Sequence, residues 1–148
     1  LLTAAGYRVR LGPARCCGAL HRHSGLPAQA DALAAELQAA VPAGAALTSV
    51  NSGCSAELDA IFGARHIDVH QRLLARSDRL RFRPWTRASR LHLPCSARAG
   101  DGALARAVQQ LLAQVPGPAP SALPPGCCGA GGRQSHLDPA RAGRISAA

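Results

Sequence analysis

The sequence predicts an α/β chain built as two repeats, with short strands lying parallel to one another. Three observations carry this. Short alternating or apolar runs that read as strands alternate with segments of helical periodicity, the order that lays parallel strands against covering helices. Cys-Cys-Gly-Ala occurs twice, at Cys16-Cys17-Gly18-Ala19 and Cys127-Cys128-Gly129-Ala130, 127 − 16 = 111 residues apart. Each of the six cysteines falls at the predicted end of a strand or in the loop after it, the edge where parallel α/β folds place ligands.

Residues 6–11 alternate apolar and polar and read as a strand, ended by Gly12-Pro13. A helix is expected over residues 28–40, with Leu33, Leu37 and Val41 on one face and Pro42 and Gly44 beyond its end. Residues 45–50 form a short apolar run, again strand-like, and Asn51-Ser52-Gly53-Cys54 turns out of it. Ser55 is a candidate N-cap for a short helix carrying Leu58, Ile61 and Phe62, and residues 67–74 suggest another. The pattern restarts at Arg90-Leu91-His92-Leu93, a strand closed by Pro94-Cys95. Asp101 can cap a helix whose stripe is Leu104, Val108, Leu111, Leu112 and Val115. Five prolines between residues 115 and 126 forbid helix there. Asp138-Pro139 reads as an N-cap followed by the first helical residue.

Length and composition bound the rest. At 148 residues the chain suits one domain or two small repeats. Of its apolar positions 32 are alanine, so the core is expected to be modest. No run of 18 apolar residues could cross a membrane as a helix. There is no methionine and no signal-peptide pattern at the start, so the chain is expected to be part of a longer protein. All 17 basic residues are arginine against 8 acids, giving +9. Such charge suits an anionic partner, but Ala, Gly, Pro and Arg dominate together, as GC-rich codons would dictate. The densest stretch holds Arg76, Arg79, Arg81, Arg83, Arg87 and Arg90 with Phe82 and Trp85. Arginines among aromatics could grip a phosphate backbone. Pro84 and the lack of periodicity favour a solvated connector instead.

The chemistry lies in Cys16, Cys17, Cys54, Cys95, Cys127 and Cys128. A helix start after Cys-Cys-Gly turns backbone N–H groups toward the sulfurs and favours thiolate and metal binding. Adjacent cysteines cannot bond to each other without strain, whereas neighbouring thiolates suit a polynuclear iron–sulfur cluster. Gly18, Gly53 and Gly129 would let the backbone approach such a cluster. Disulfides and a structural zinc site compete; the spacing C-x2–4-C usual for zinc is missing. His21, His23 or His92 could add a nitrogen ligand, though each suits a hydrogen-bonding loop residue better. His66, His70 and His136 are expected at the surface, and Glu36, Glu57 and Asp59 as helix-face or helix-start charges. No Ser/His/Asp arrangement is legible.

The run from Gly6-Tyr7-x-Val9 through Cys16-Cys17-Gly18-Ala19-Leu20-His21-x-His23-Ser24-Gly25 resembles the cysteine-rich CCG domain of bacterial Fe–S oxidoreductases, nearest by eye to the glycolate oxidase iron–sulfur subunit. Asn51-Ser52-Gly53-Cys54, residues 67–74, Leu91-His92-Leu93-Pro94-Cys95 and residues 126–132 resemble further parts of the same pattern. The resemblance implies an α/β fold of two Rossmann-like repeats with short parallel sheets, truncated at both ends. Residues 1–75 would be the first CCG repeat, lacking its N-terminal part. Residues 76–89 would be an Arg-rich connector, and residues 90–148 the second CCG repeat, lacking its C-terminal part. Cys16, Cys17 and Cys54 would be later ligands of repeat one, and Cys95, Cys127 and Cys128 earlier ligands of repeat two. The first cysteine of repeat one would precede residue 1 and the last of repeat two would follow residue 148. Glu57 stands where a C-x-x-C would end.

The resemblance further implies an iron–sulfur cluster of 4Fe-4S type, with zinc as the alternative. The function expected is electron transfer in a flavin-dependent 2-hydroxy acid (glycolate- or lactate-type) dehydrogenase. The chain would be a non-catalytic subunit whose partners are a flavoprotein dehydrogenase subunit and, through the complex, the membrane quinone pool. It would sit in the cytoplasm or peripherally at the inner face of the membrane, with no nucleic-acid partner. Two alternatives stand: a heterodisulfide-reductase-like CCG enzyme, and a zinc-stabilised, Arg-rich nucleic-acid-binding module.

Overall fold

The structure, a computed structural model, describes residues 1–124, 126–129, 131 and 134–147. Among the described residues it is mixed helical with one small parallel sheet. Among the described residues no helix is long and apolar enough to cross a membrane. The chain divides into two compact units, and both draw on both sequence repeats: Leu1–Gly12 with Gly44–Pro124, and Pro13–Ala43 with Pro125–Ala148.

In the first unit Asn51, extended at φ −125° and ψ 111°, starts helix α3 (Ser52–Phe62) by accepting the Gly53 N–H at 2.8 Å. The cap is therefore Asn51 and not Ser55, because the shorter side chain lies already inside the first turn. Residues 45–50 make a single parallel bridge, Leu47 with His66, rather than a strand. Asp68 caps α4 (Val69–Leu74), donating nothing and accepting the His70 N–H at 2.9 Å. Strand β1 (Arg90–Leu91) pairs in parallel with β2 (Ser121–Ala122), Arg90 opposite Ser121 and Leu91 opposite Ala122. β2 lies in the proline-rich segment that forbids helix; it is exposed and only two residues long, which tolerates flanking prolines. Between the strands run α5 (Cys95–Arg98) and α6 (Ala103–Leu112). The N-cap position of α6 is Gly102 rather than Asp101; Asp101, one residue before it, accepts the Ala103 N–H at 2.9 Å.

Helix α4 packs on α6, and α3 on α5. The core of the unit is Ala5, Leu73 and Leu111, with Leu2, Tyr7, Val69, Leu74, Leu80 and Phe82 against it. Residues 6–11 are not a strand. Gly6 closes a turn at φ 82°, and the segment beyond it has no neighbouring strand to pair with, leaving Val9 and Leu11 exposed. Its one apolar anchor is Tyr7, whose hydroxyl donates to the Arg72 carbonyl at 2.9 Å under the Arg76 guanidinium. The Arg-rich stretch opens with a 3-10 turn at Ser77–Arg79 and is otherwise irregular up to Arg90, yet it is not merely solvated: Phe82 packs against the core, and the Trp85 backbone N–H donates to the Pro116 carbonyl at 2.8 Å.

The second unit holds two similar segments. Gly18 precedes α1 (Ala19–His23), which packs on α2 (Pro27–Ala40); α7 (Gln134–Leu137) packs on α8 (Pro139–Ser146). Pro27 and Pro139 each begin their helix, where the missing N–H costs nothing. Asp138 caps α8 through the Arg141 N–H at 2.9 Å. Leu37 and Val41 are buried, as the stripe of α2 predicts. Ala130 and Gly132 of the second motif's flank lie outside the described residues.

Candidate metal centre

Both Cys-Cys-Gly segments fold into the same turn. Gly18 and Gly129 adopt φ 86° and φ 72°, a left-handed conformation that side chains disfavour. That bend brings the Gly18 N–H to 3.4 Å from Cys16 Sγ and the Gly129 N–H to 3.4 Å from Cys127 Sγ. A backbone donor on sulfur stabilises a thiolate, the form that ligates metal. The glycines serve a second purpose. A Cβ on Gly18 would sit 2.6 Å from the Ala30 carbonyl oxygen, and one on Gly129 would collide with that of Ala142. The close approach they permit is thus to the backbone of the second helix after each glycine, α2 and α8. Ala30 and Ala142 each lie three residues beyond the proline that opens that helix, and both are buried.

Cys17 is buried, whereas Cys16, Cys127 and Cys128 are exposed. Cys54 and Cys95 occupy first turns of helices rather than loops: Cys54 is the third residue of α3 and Cys95 the first of α5. Ser52 Oγ and Ser96 Oγ lie 2.8 Å apart, so the starts of those two helices adjoin. Gly53 has no left-handed backbone; its N–H is used by the Asn51 cap.

The six cysteines divide between the units. Cys16, Cys17, Cys127 and Cys128 belong to the second, Cys54 and Cys95 to the first. All are free thiols. Among the described residues no group of three or more His, Cys, Asp or Glu side chains is assembled to hold a metal ion. The turns fit thiolate ligation one by one: soft sulfur donors, N–H groups on sulfur, exposed Cys16 and Cys127. A complete ligand set is not formed within either unit's described residues.

Of the candidate histidines, His23 and His92 are exposed. His21 Nδ1 is buried without a hydrogen-bond partner, beside Leu20, Ser24 and Leu26. His66, expected at the surface, is buried and linked on both sides: Nδ1 lies 2.7 Å from Asp59 Oδ1 and Nε2 2.9 Å from Ser49 Oγ. A Ser/His/Asp chain therefore does exist, though none is legible in the sequence. Its exposure runs opposite to what a nucleophilic relay needs: the His66 side chain is 1% exposed and that of Asp59 62%. It fastens the Leu47–His66 bridge to α3. Glu57, expected on a helix face, is buried too. Asp59 and His66 stand seven residues apart, but α3 ends at Phe62 between them, so helical periodicity does not connect the pair.

No curated protein and no solved structure matches the chain. Residues 1–59, which contain Cys16, Cys17 and Cys54, match the family model of the cysteine-rich CCG domain, and to that extent the chain is similar to this family.

Proposed function

We propose that the chain is the iron–sulfur, electron-transferring part of a flavin-dependent 2-hydroxy acid dehydrogenase of glycolate or lactate type. The carrying observation is the duplicated turn. The second Cys-Cys-Gly lies outside the residues matched to the CCG family, yet it repeats the first in glycine conformation, N–H···S contact and helix packing. Chance cysteines would not reproduce all three.

Cys16, Cys17 and Cys54, and likewise Cys95, Cys127 and Cys128, would hold the group. A bound 4Fe-4S cluster supplies one-electron redox chemistry, and its potential responds to hydrogen bonds on sulfur and to burial. The Gly18 and Gly129 N–H groups provide the former at Cys16 and Cys127; the buried Cys17 excludes water on one side. Two Rossmann-like repeats are part of this proposal, supported by the parallel β1–β2 pair and the parallel Leu47–His66 bridge. So are the flavoprotein partner, a quinone acceptor, and a place in the cytoplasm or peripherally at the membrane's inner face.

The test is anaerobic expression of the chain, followed by counting iron, acid-labile sulfide and zinc. Iron with equivalent sulfide, lost in Cys16→Ser/Cys17→Ser and in Cys127→Ser/Cys128→Ser, is expected. Stoichiometric zinc without sulfide overturns the proposal.

A further inference from the structure

The Arg-rich stretch and the proline-rich loop carry no part of the resemblance, and the first unit folds them together. The Trp85 N–H is bound by the Pro116 carbonyl, and Gly117, at φ 130°, packs so closely that a Cβ there would fall on the Trp85 carbonyl oxygen. β2, at the end of the loop, pairs with β1, at the end of the Arg-rich stretch, and the Leu123 N–H extends the ladder to the Leu91 carbonyl at 2.9 Å. Two segments with no internal periodicity are thereby fixed against each other and against α6.

They line an open groove with a volume of about 340 Å³. Ligand sites run from roughly 300 to 1,000 Å³, so this volume suits a small molecule. Trp85, Leu91, Leu112 and Val115 give it apolar walls, and loop prolines stiffen one side. Trp85 is half exposed, a large aromatic face that the fold leaves uncovered. The charge is one-sided: Arg83 and Arg90 line the groove with the neutral Ser89, and no carboxylate does. Among the described residues neither guanidinium is engaged in an ion pair or hydrogen bond.

We infer that this groove is a binding site for a small aromatic carboxylate. A planar ring would stack on Trp85 and fill the apolar space. Its carboxylate would meet guanidinium groups whose planar fork matches it. A neutral apolar guest would leave both exposed guanidinium groups to water alone. A polyphosphate would place several charges against walls of leucine, valine and proline, at a desolvation cost that two arginines cannot offset.

Trp85 is the only tryptophan, so its indole N–H is a single reporter inside the site. The experiment titrates the full chain, labelled with ¹⁵N, with 2-naphthoate, with neutral 2-naphthalenemethanol and with 2-naphthylmethylammonium. A saturable shift of the indole signal is expected, with naphthoate binding about tenfold tighter than the neutral isostere, as one charge-assisted contact would give, and the ammonium weakest. Arg83→Gln/Arg90→Gln should erase the preference for the anion while leaving the neutral compound's binding unchanged. Arg81→Gln/Arg87→Gln, which removes the same charge outside the groove lining, should leave the preference intact. No saturable shift, equal affinity for all three probes, or equal loss in both arginine pairs overturns the inference. So does tighter, steeply salt-dependent binding of a single-stranded oligonucleotide at the same signal, which would make the surface a nucleic-acid interface.

Discussion

Gly18 and Gly129 combine a left-handed backbone with a helix backbone where a Cβ would stand. Either constraint alone penalises alanine; together they should cost about 2 kcal/mol or more. Gly18→Ala and Gly129→Ala are therefore expected to lower stability in urea titrations by that amount and to reduce metal loading. Gly143 is the control. It lies within α8 with nothing near its missing Cβ, and Gly143→Ala should stabilise by about 0.5–1 kcal/mol. His66 offers a different case at the same scale. His66→Ala removes the link between Asp59 and Ser49 and opens a hole at a buried position. A loss of about 2–3 kcal/mol is expected, and a change below 0.5 kcal/mol would show that the link is incidental. The glycines were readable as special from the repeated motif. His66 was not, because its partners come from separate segments and the histidine itself sits in no pattern.

At the scale of elements, the helix starts are controlled by short side chains. Asn51 opens α3, Asp68 opens α4 and Asp138 opens α8. Asn51→Ala and Asp138→Ala should each cost about 1 kcal/mol, measured by chemical denaturation. In addition, Asn51→Ala should loosen the first turn of α3, which holds Cys54, and so raise that thiol's reactivity toward an alkylating reagent. The helix over residues 28–40 and the Asp138-Pro139 start were legible, since capping and periodicity act within a few residues. The strands were less so. Residues 6–11 have the alternation of a strand but no partner, while β2 has prolines around it and does have one. Alternation describes which face a strand would bury; it does not supply a neighbour.

Across the whole molecule the core is thin. Among the described residues no large side chain is fully buried, and six of the thirteen buried apolar residues are alanine. Much of the stability of the loaded protein should thus come from the bound group. A ligand at a hundred times its Kd adds about 2.7 kcal/mol, or roughly 5–10 °C for a chain of this size. Reconstitution with iron and sulfide is expected to raise Tm by that amount in calorimetry, and chelation to reverse it; an unchanged Tm would contradict a role for the cysteines as ligands. The compact units also draw on both sequence repeats, so the pairs Cys16/Cys17 and Cys127/Cys128 share one unit while Cys54 and Cys95 share the other.

The amino-acid order by itself determined the duplicated cysteine turns, the helix starts and the small-residue composition that makes the core modest. Each of these is set by contacts within a few residues or by composition alone. Only the tertiary structure decided that Ser52 meets Ser96, that His66 is buried between Ser49 and Asp59, and that the Arg-rich stretch and the proline loop line a common groove. Such meetings join residues separated by up to several tens of positions, where packing and loop closure, rather than local preference, choose the partner.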